Sequence, residues 1–356
     1  MKKLILLFAI LGIYSCKKES STLPATVYSP GNFKGVFVIN EGNFNNGDAS
    51  ISFFSNENPY VNTDVFSKLN NHAPLGDVAQ SMTIFKSHAY LVVNNSSKVE
   101  VVSMTSFNRT GTITGVASPR FFLGIDDNKG FVSNWANNSV DVINLQTLTV
   151  STSIPCGNGP EQMVLLNGKV YVCNVGGFGN DSTVSVIDVS SNSVIATIPV
   201  GINPNSIRTD AAGKIWVLCG GTLGPDYTPG TPDDVGGTMI QIDPATNTVV
   251  KHYPFSTDQH PMKLNINDAG SNLYYLSGTS AFTGRIFTMP VADTILPVNP
   301  IVNNEFYGLG IQPLTGRIYT GRANFPQASY MLRYQSNGLF IDSAQVGIGP
   351  NSFVFN

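Results

Sequence analysis

Short apolar runs alternate with turn-forming residues along almost the whole chain, and the pattern repeats. One clear copy covers residues 160–174, and a second covers residues 204–218. Each copy contains a turn, an apolar strand, a tight turn and a second strand. The runs are short and rich in β-branched and aromatic residues, with apolar and polar positions in alternation, which predicts β-strands rather than helices.

Seven first strands and seven second strands can be counted, at a spacing of about 40–45 residues. The predicted first strands are residues 78–85, 119–125, 160–166, 204–209, 261–266, 306–311 and 350–355. The predicted second strands centre on residues 37–39, 91–93, 131–133, 171–173, 216–218, 274–276 and 318–320. Trp216 lies in the middle of a strand and is predicted to be core.

The last repeat has a first strand but no second strand after it, whereas the first repeat opens on a second strand at residues 36–40. A repeat that is split between the termini closes a ring. The sequence therefore predicts an all-β fold, a seven-bladed β-propeller of four-stranded antiparallel blades. Pairing of the C-terminal strand with the N-terminal blade closes it. A sandwich or two smaller domains would not explain the split copy.

The N-terminus has the pattern of a secretory signal. Lys2 and Lys3 precede an apolar run at residues 4–13, which is too short to span a bilayer as a helix. Residues 13–16 resemble the lipobox of bacterial lipoproteins, in which the cysteine is lipidated. We expect a signal peptide at 1–15, a lipidated Cys16 with a polar tether at 16–34, and the propeller at 35–356. The alternative is an ordinary signal peptide with an incidental cysteine.

Composition narrows the possible partners. Only 12% of residues are charged, and 34 Gly and 21 Pro suit a protein with many tight turns. Acidic residues outnumber basic ones, 23 to 20, so a nucleic-acid partner is not expected. Cys156, Cys173 and Cys219 allow at most one disulfide, and no zinc-ligand spacing is present.

The candidate site lies on one face of the propeller, because the loop entering each first strand and the loop leaving each second strand open on the same side. These loops are rich in amides and aromatic rings, with a few charges. The candidate ligand-binding residues are Asn40, Glu41, Asn94, Arg120, Asn134, Trp135, Glu161, Asn174, Phe178, His260 and Arg322. For Asn40, Asn94, Asn134 and Asn174 a structural role at the strand ends is an equal alternative.

Catalytic signals are weak. The motif Gly-x-Ser-x-Gly is absent, and the chain has four histidines. Our prediction names no catalytic residue, no metal and no cofactor. As an alternative, Glu41, Asp77, Glu161 and Glu305 could converge on the axis and hold a hard cation, as in a metal-dependent propeller lactonase or lyase. A protein-interaction scaffold is a further alternative.

Three segments carry a family resemblance: residues 35–54, residues 74–82, and the Tyr-Val-x-Asn form of residues 171–174. They resemble the YVTN/YncE-like seven-bladed propeller lipoproteins of Bacteroidota, and are similar to the BtuG-type corrinoid-binding surface propellers. The resemblance implies a non-enzymatic lipoprotein, anchored in the outer membrane at the cell surface. Such a protein captures cobalamin or other corrinoids for a TonB-dependent transporter. Arg120 or Arg322 could meet the ligand's phosphate. A siderophore or a glycan would suit the same face.

Overall fold

The structure is a computed structural model that describes residues 33–55, 60–225, 228–280 and 282–356. The described residues form seven four-stranded antiparallel sheets, arranged as the blades of a propeller, and one short helix. The predicted fold class is confirmed. No helix in these ranges has the length and hydrophobicity needed to cross a bilayer.

The strands follow one another blade by blade, from the axis outwards. Blade 1 contains β1 (Gly35–Asn40), β2 (Ser50–Ser55) and β3 (Val61–Asn62), and helix α1 (Val65–Leu69) follows it. Blade 2 contains β4 (Ala79–Phe85), β5 (His88–Val93), β6 (Lys98–Ser103) and β7 (Arg109–Ile113). Blade 3 contains β8 (Pro119–Gly124), β9 (Lys129–Asn134), β10 (Ser139–Asn144) and β11 (Thr149–Pro155). Blade 4 contains β12 (Pro160–Leu166), β13 (Lys169–Asn174), β14 (Thr183–Asp188) and β15 (Ser193–Pro199).

The remaining blades follow the same order. Blade 5 contains β16 (Pro204–Thr209), β17 (Ile215–Cys219), β18 (Thr238–Asp243) and β19 (Thr248–Pro254). Blade 6 contains β20 (Met262–Ile266), β21 (Asn272–Ser277), β22 (Gly284–Pro290) and β23 (Val302–Phe306). Blade 7 contains β24 (Gly308–Ile311), β25 (Ile318–Asn324), β26 (Gln327–Tyr334) and β27 (Phe340–Val346). The last strand, β28 (Pro350–Phe355), returns to blade 1 as its inner strand.

The two ends of the described chain close the ring in one sheet. β28 pairs antiparallel with β1 and places Phe353 opposite Val38. Next to this pair, the side chain of Asn356 donates to the carbonyl of Phe33 at 2.9 Å. β28 therefore covers the inner side of β1, which would otherwise be an edge open to pairing with another chain. The predicted closure is confirmed.

Phe33, the first residue that the structure describes, packs into the core. Its side chain is 2% exposed, and its ring lies 5.4 Å from that of Phe53 and 5.2 Å from that of Phe107. Phe33 therefore belongs to the packed fold, although it lies just before the predicted propeller boundary at residue 35. The predicted signal peptide and Cys16 lie outside the described residues.

The predicted inner strand of blade 7 is wrong at its start. Phe306 ends β23, the outer strand of blade 6, and the inner strand β24 begins at Gly308. A single residue, Tyr307, separates the two strands, so the apolar run of one merges with that of the next in the sequence. Phe306 is completely buried in the core between blades 6 and 7.

The core lies between neighbouring blades. Trp216 is completely buried, as predicted, and so are Cys173 and Cys219. Cys156, Cys173 and Cys219 are free thiols. Burial raises the pKa of Cys156 and of Cys219 to about 12, so both behave as small apolar groups.

Hydrogen bonds between blades fix the inner strands around the axis. Ser81 Oγ in blade 2 donates to the Arg120 carbonyl in blade 3 at 2.7 Å. Asn351 Nδ2 in blade 1 donates to the Gln80 carbonyl in blade 2 at 3.0 Å. Such bonds hold the residues that follow each strand start at fixed positions about a common centre.

Candidate ligand-binding site

A funnel with a volume of about 1190 Å³ opens on the face where the second strands end. Polar side chains from six blades form its floor, together with the side chain of Tyr307, the residue that precedes blade 7. These residues are Glu41, Gln80, Arg120, Trp135, Glu161, Asn205, His260, Lys263 and Tyr307. A site on the axis is therefore assembled from segments far apart in the chain.

β-Bulges at the start of the inner strands turn the key side chains towards the funnel. In blade 3 the pairing register shifts between Pro119 and Phe122, and Arg120 lies in the shifted segment. In blade 4 the register shifts between Pro160 and Met163, and Glu161 lies in the equivalent segment. A bulge re-aims side chains at a strand end, which places these two groups on the funnel floor.

Arg120, Glu161 and Trp135 form one unit, here called the paired cluster. Arg120 Nε and Nη2 donate to the two carboxylate oxygens of Glu161 at 2.8 and 3.0 Å. Trp135 Nε1 donates to Glu161 Oε2 at 2.8 Å, and the guanidinium carbon lies 3.8 Å from the centre of the indole ring. Glu161 is 6% exposed. The bidentate pair, the indole bond and the stacking make this cluster rigid and nearly neutral.

Glu41, Tyr307, Lys263 and Asn351 form a second unit, here called the open cluster. The Tyr307 hydroxyl donates to Glu41 Oε2 in a short bond, and Lys263 Nζ donates to Asn351 Oδ1 in another. Lys263 Nζ lies 6.0 Å from the centre of the Tyr307 ring. Among the described residues, no carboxylate oxygen lies within 4.0 Å of Lys263 Nζ.

The pKa values of the open cluster reflect its depth. Burial, and then the charge of Glu41, raises the pKa of the Tyr307 hydroxyl far above its ordinary value, so this group stays a hydrogen-bond donor. Burial lowers the pKa of Lys263, while the more distant charges of Glu41 and Glu161 oppose that shift. Lys263 thus carries a charge that its surroundings compensate incompletely.

Four phenylalanines form the rim of the funnel. They are Phe44, Phe178, Phe282 and Phe325, with exposures of 69%, 84%, 70% and 47%. Phe178 stands edge-on to Trp135 with 6.0 Å between the ring centres. Exposed aromatic rings around a polar concave floor are typical of a binding site.

His260 lines the funnel beside the start of the long loop at residues 220–237. The ring is 3% exposed, and Nδ1 lies 3.1 Å from the Gly220 carbonyl oxygen. Within the described ranges, Nε2 has no hydrogen-bond partner. Asp234 braces the same loop by accepting bonds from the Gly224 and Gly230 amides at 2.8 and 2.6 Å, and these bonds help to lower the pKa of its carboxyl.

Three of the predicted asparagines do not reach the funnel. Asn40, Asn134 and Asn174 are each fully buried at the last position of a second strand. Asn174 Nδ2 donates to Thr183 Oγ1 and Ser185 Oγ, both at 2.9 Å, and the other two make similar bonds within their own blades. These side chains hold the second and third strands together, in line with the structural alternative.

A glycine makes room for this amide. A Cβ at Gly157 would lie 2.4 Å from Asn174 Nδ2, and a Cβ at Gly347 would lie 2.7 Å from Asn40 Nδ2. Each of these glycines stands three residues before the proline that starts an inner strand. Glycine and asparagine are therefore paired in blades 4 and 1.

Two more predicted residues lie away from the cavity lining. Asn94 bridges blades 2 and 3, because its Nδ2 donates to Ser118 Oγ and the Pro119 carbonyl at 3.0 Å each. Arg322 is exposed on β25. The structure brings Glu41, Arg120, Trp135, Glu161, Phe178 and His260 together around the funnel.

The four acids considered for a hard cation are separated and engaged elsewhere. Glu161 is paired with Arg120, and Glu41 is bonded to Tyr307. Asp77 accepts a bond from the Asn45 amide at 2.9 Å, and Glu305 lies 3.4 Å from Arg285. In the described part of the chain, no three His, Cys, Asp or Glu side chains come together as metal ligands would. These acids do not form the oxygen ligand set that calcium prefers.

Sequence reasoning missed Lys263 and Tyr307. Tyr307 was hidden because the predicted strand began two residues too early, at Phe306 rather than Gly308. Lys263 occupies the third position of its repeat when the copies are aligned on the inner-strand start. The same position holds Ser81, Phe121, Gln162, Ser206 and Ser352 in five other blades. A single lysine among hydroxyl, amide and aromatic residues was a readable signal.

The fold and the funnel define a class: a seven-bladed propeller with a large cavity on its axis. Residues 34–347 match the DUF5074 family, described as a domain of unknown function, and the chain belongs to this family. No curated protein matches the sequence.

Solved structures show the same architecture. A putative 6-phosphogluconolactonase from Bacteroides fragilis superposes with a TM-score of 0.65 at 12% identity, over 92% of this chain and 100% of that one. The periplasmic gluconolactonase of Pseudomonas aeruginosa gives 0.64 at 12% identity, over 90% and 99%. A quinonprotein alcohol dehydrogenase-like protein from Bacteroides thetaiotaomicron gives 0.65 at 15% identity, over 91% and 78%. At these identities the likeness shows the fold alone.

Proposed function

We propose that this protein is a non-enzymatic, ligand-capturing lipoprotein of the outer membrane. It holds a bulky nutrient in the axial funnel and passes it to a TonB-dependent transporter. The observation that carries the proposal is the funnel itself, with four exposed phenylalanines above a floor of amide and charged groups. Both acids on the floor are already engaged, Glu161 with Arg120 and Glu41 with Tyr307, which favours recognition over acid–base chemistry.

The size of the funnel favours a large ligand. Its volume of about 1190 Å³ exceeds the roughly 300–1,000 Å³ of pockets that hold drug-sized molecules. A corrinoid is broad, rigid and fringed with amides, and it needs a wide face with neutral donors, acceptors and a few rings. The resemblance to BtuG-type propellers supports the same ligand class, so cobalamin and other corrinoids are the first candidates. A ferric siderophore or a glycan comes next.

Calorimetry with cyanocobalamin tests the ligand. The wild-type protein should bind it, and Phe178→Ala should weaken binding because it removes an exposed ring of the rim. The matched control is Leu314→Ala, which removes a side chain that is also exposed but lies in the β24–β25 turn on the opposite face. Absence of heat at micromolar protein would remove the corrinoid assignment. Ferric siderophores and oligosaccharides would then be titrated, and failure of all three classes would remove the capture function.

Labelling of cells with a fatty-acid analogue tests the anchor. Wild-type protein should incorporate the label and Cys16→Ala should not, because the thiol at this position is the expected attachment site. Equal labelling of both proteins would contradict the lipoprotein assignment. Protease treatment of intact cells then distinguishes the outer from the inner leaflet.

A further inference from the structure

Lys263 stands out among the charges of the funnel floor. Arg120, the other cation of the floor, is neutralised by two bonds to Glu161. Lys263 donates to the neutral Asn351 amide oxygen and, among the described residues, has no carboxylate oxygen within 4.0 Å of its Nζ. The floor therefore holds one satisfied cation and one that still lacks an anion.

The backbone takes an unfavourable conformation to place this lysine. Lys263 has a φ of 59°, in the left-handed region that non-glycine residues avoid. In five other blades the left-handed residue instead stands directly before the inner strand, at Val78, Ser118, Gly159, Asn203 and Gly349. Only in blade 6, within the described residues, does it fall inside the inner strand. The backbone of blade 6 thus differs from that of these five blades at the position that carries the lysine.

The surroundings of the ammonium group leave capacity for a ligand. Asn351 is itself held in place, because its Nδ2 donates to the Gln80 carbonyl at 3.0 Å. One of the three ammonium donors goes to this amide, and the ammonium lies near the Tyr307 ring. Burial lowers the pKa of Lys263, which indicates that the cost of desolvating the charge is not fully offset. An anion bound here would offset it.

We propose that Lys263 anchors an acidic group, a carboxylate or a phosphate, on the ligand that the funnel binds. The inference rests on the proposed capture function and adds the chemistry of the ligand's inner end. Neither floor acid takes this place, since Glu161 is bound by Arg120 and Glu41 by Tyr307. The ligand is then amphiphilic: its apolar body lies against the phenylalanine rim, and its acidic end reaches the floor.

Two dyes that differ by one acidic group test this. 8-Anilinonaphthalene-1-sulfonate carries a sulfonate, and N-phenyl-1-naphthylamine has the same rings without it. Both should bind the wild-type funnel, and Phe178→Ala should weaken both. Lys263→Met should weaken the sulfonate dye about tenfold or more, as expected for loss of a charge-assisted bond, and leave the neutral dye within about twofold. Lys263→Arg should restore most of the difference.

Lys169→Met is the matched control, because it removes the same charge at the start of β13, on the face opposite the funnel. It should change neither dye, and circular dichroism should show that all variants are folded. An equal loss for both dyes in Lys263→Met, no loss for either, or no binding of the sulfonate dye to the wild type would overturn the proposal. Calorimetry with cyanocobalamin tests the capture function independently. A negative dye result would therefore contradict the role of Lys263 without contradicting ligand capture.

Discussion

The two halves of the funnel floor contain the same kinds of groups in different arrangements. Each half has one basic side chain, one glutamate and one aromatic ring with a polar hydrogen. In the paired cluster the charges meet, with 2.8 Å between Arg120 Nε and Glu161 Oε2. In the open cluster Glu41 is bonded to Tyr307 and Lys263 to Asn351, so the two charges are kept apart. Similar side chains thus form a hydrogen-bonded ion pair in one half of the floor and leave a cation without a counter-charge in the other.

The largest effect on stability is expected for a substitution that breaks the paired cluster. Glu161→Gln leaves the Arg120 guanidinium without its counter-charge in a nearly buried position. We expect the free energy of unfolding to fall by about 3 kcal/mol, the low end for a broken buried pair because the funnel admits water. Glu41→Gln should cost less than about 1 kcal/mol, since Gln still accepts a bond from Tyr307. Guanidinium denaturation measures both.

Glu305→Gln is the control for loss of a glutamate charge, because its pair with Arg285 is exposed. It should change stability by no more than about 1 kcal/mol. Equal costs for Glu161→Gln and Glu41→Gln would show that the two clusters do not differ as described.

Double-mutant cycles sharpen the comparison further. Arg120→Met and Glu161→Gln should show a coupling free energy of about 2 kcal/mol, because the two side chains share two hydrogen bonds. Lys263→Met and Glu41→Gln should couple by no more than about 0.5 kcal/mol, since the groups are not in contact. A strong coupling in the second cycle would mean that Lys263 is paired with Glu41 in solution, and would leave less room for an anionic ligand.

A smaller loss of stability is expected when only the indole hydrogen bond of the paired cluster is removed. Trp135→Phe keeps an aromatic ring on the Arg120 guanidinium but removes the N–H that donates to Glu161. The expected loss is about 1.5 kcal/mol, the lower value for a hydrogen bond to a charged group. Phe178→Leu, which changes an exposed ring of the same wall, should lose less than about 0.5 kcal/mol. Thermal and chemical unfolding of both variants compares them.

The smallest effect is a pH dependence that belongs to the open cluster. The folded-state pKa of Lys263 is below the ordinary 10.5, so the unfolded chain holds this proton more tightly. Stability contributed by this group therefore rises as pH increases through the interval below 10.5. The raised pKa values of Cys156 and Cys219 act in the opposite direction above their ordinary value of 9.0, and that of Tyr307 does so above 10.0. The contribution of Lys263 is therefore the difference in slope between the wild type and Lys263→Met. Lys263→Met should reduce the increase in unfolding free energy with pH, and Lys169→Met should not. Identical slopes for the wild type and Lys263→Met would contradict this prediction.

The sequence predicted the ring well because closure depends on local, repeated signals. The strand pattern and the split repeat required no knowledge of distant contacts. Arg120, Glu161 and Trp135 were found because they stand beside the strand ends in their own repeats. The orientation of the strand ends was harder to predict. Asn134 is the last residue of β9 and is buried within the blade, while Trp135 is the first residue of the following turn and lines the funnel.

Lys263 departs visibly from the other copies of the repeat, but its role in the site could not be read from that departure. Its role depends on a left-handed backbone in one blade and on Asn351 and Tyr307, which come from two other blades. Pattern within a repeat cannot show which copies differ in backbone conformation. Convergence of single residues from separate blades is decided by tertiary packing.

The strand β28 links folding to the order in which the chain is made. The bond from Asn356 to Phe33 joins residues 323 positions apart, so blade 1 stays incomplete until β28 has been synthesised. Contacts of such high sequence separation slow folding. Until they form, the free side of β1 is an edge that other chains can pair with, so a chaperone that shields this edge would raise the yield of closed rings.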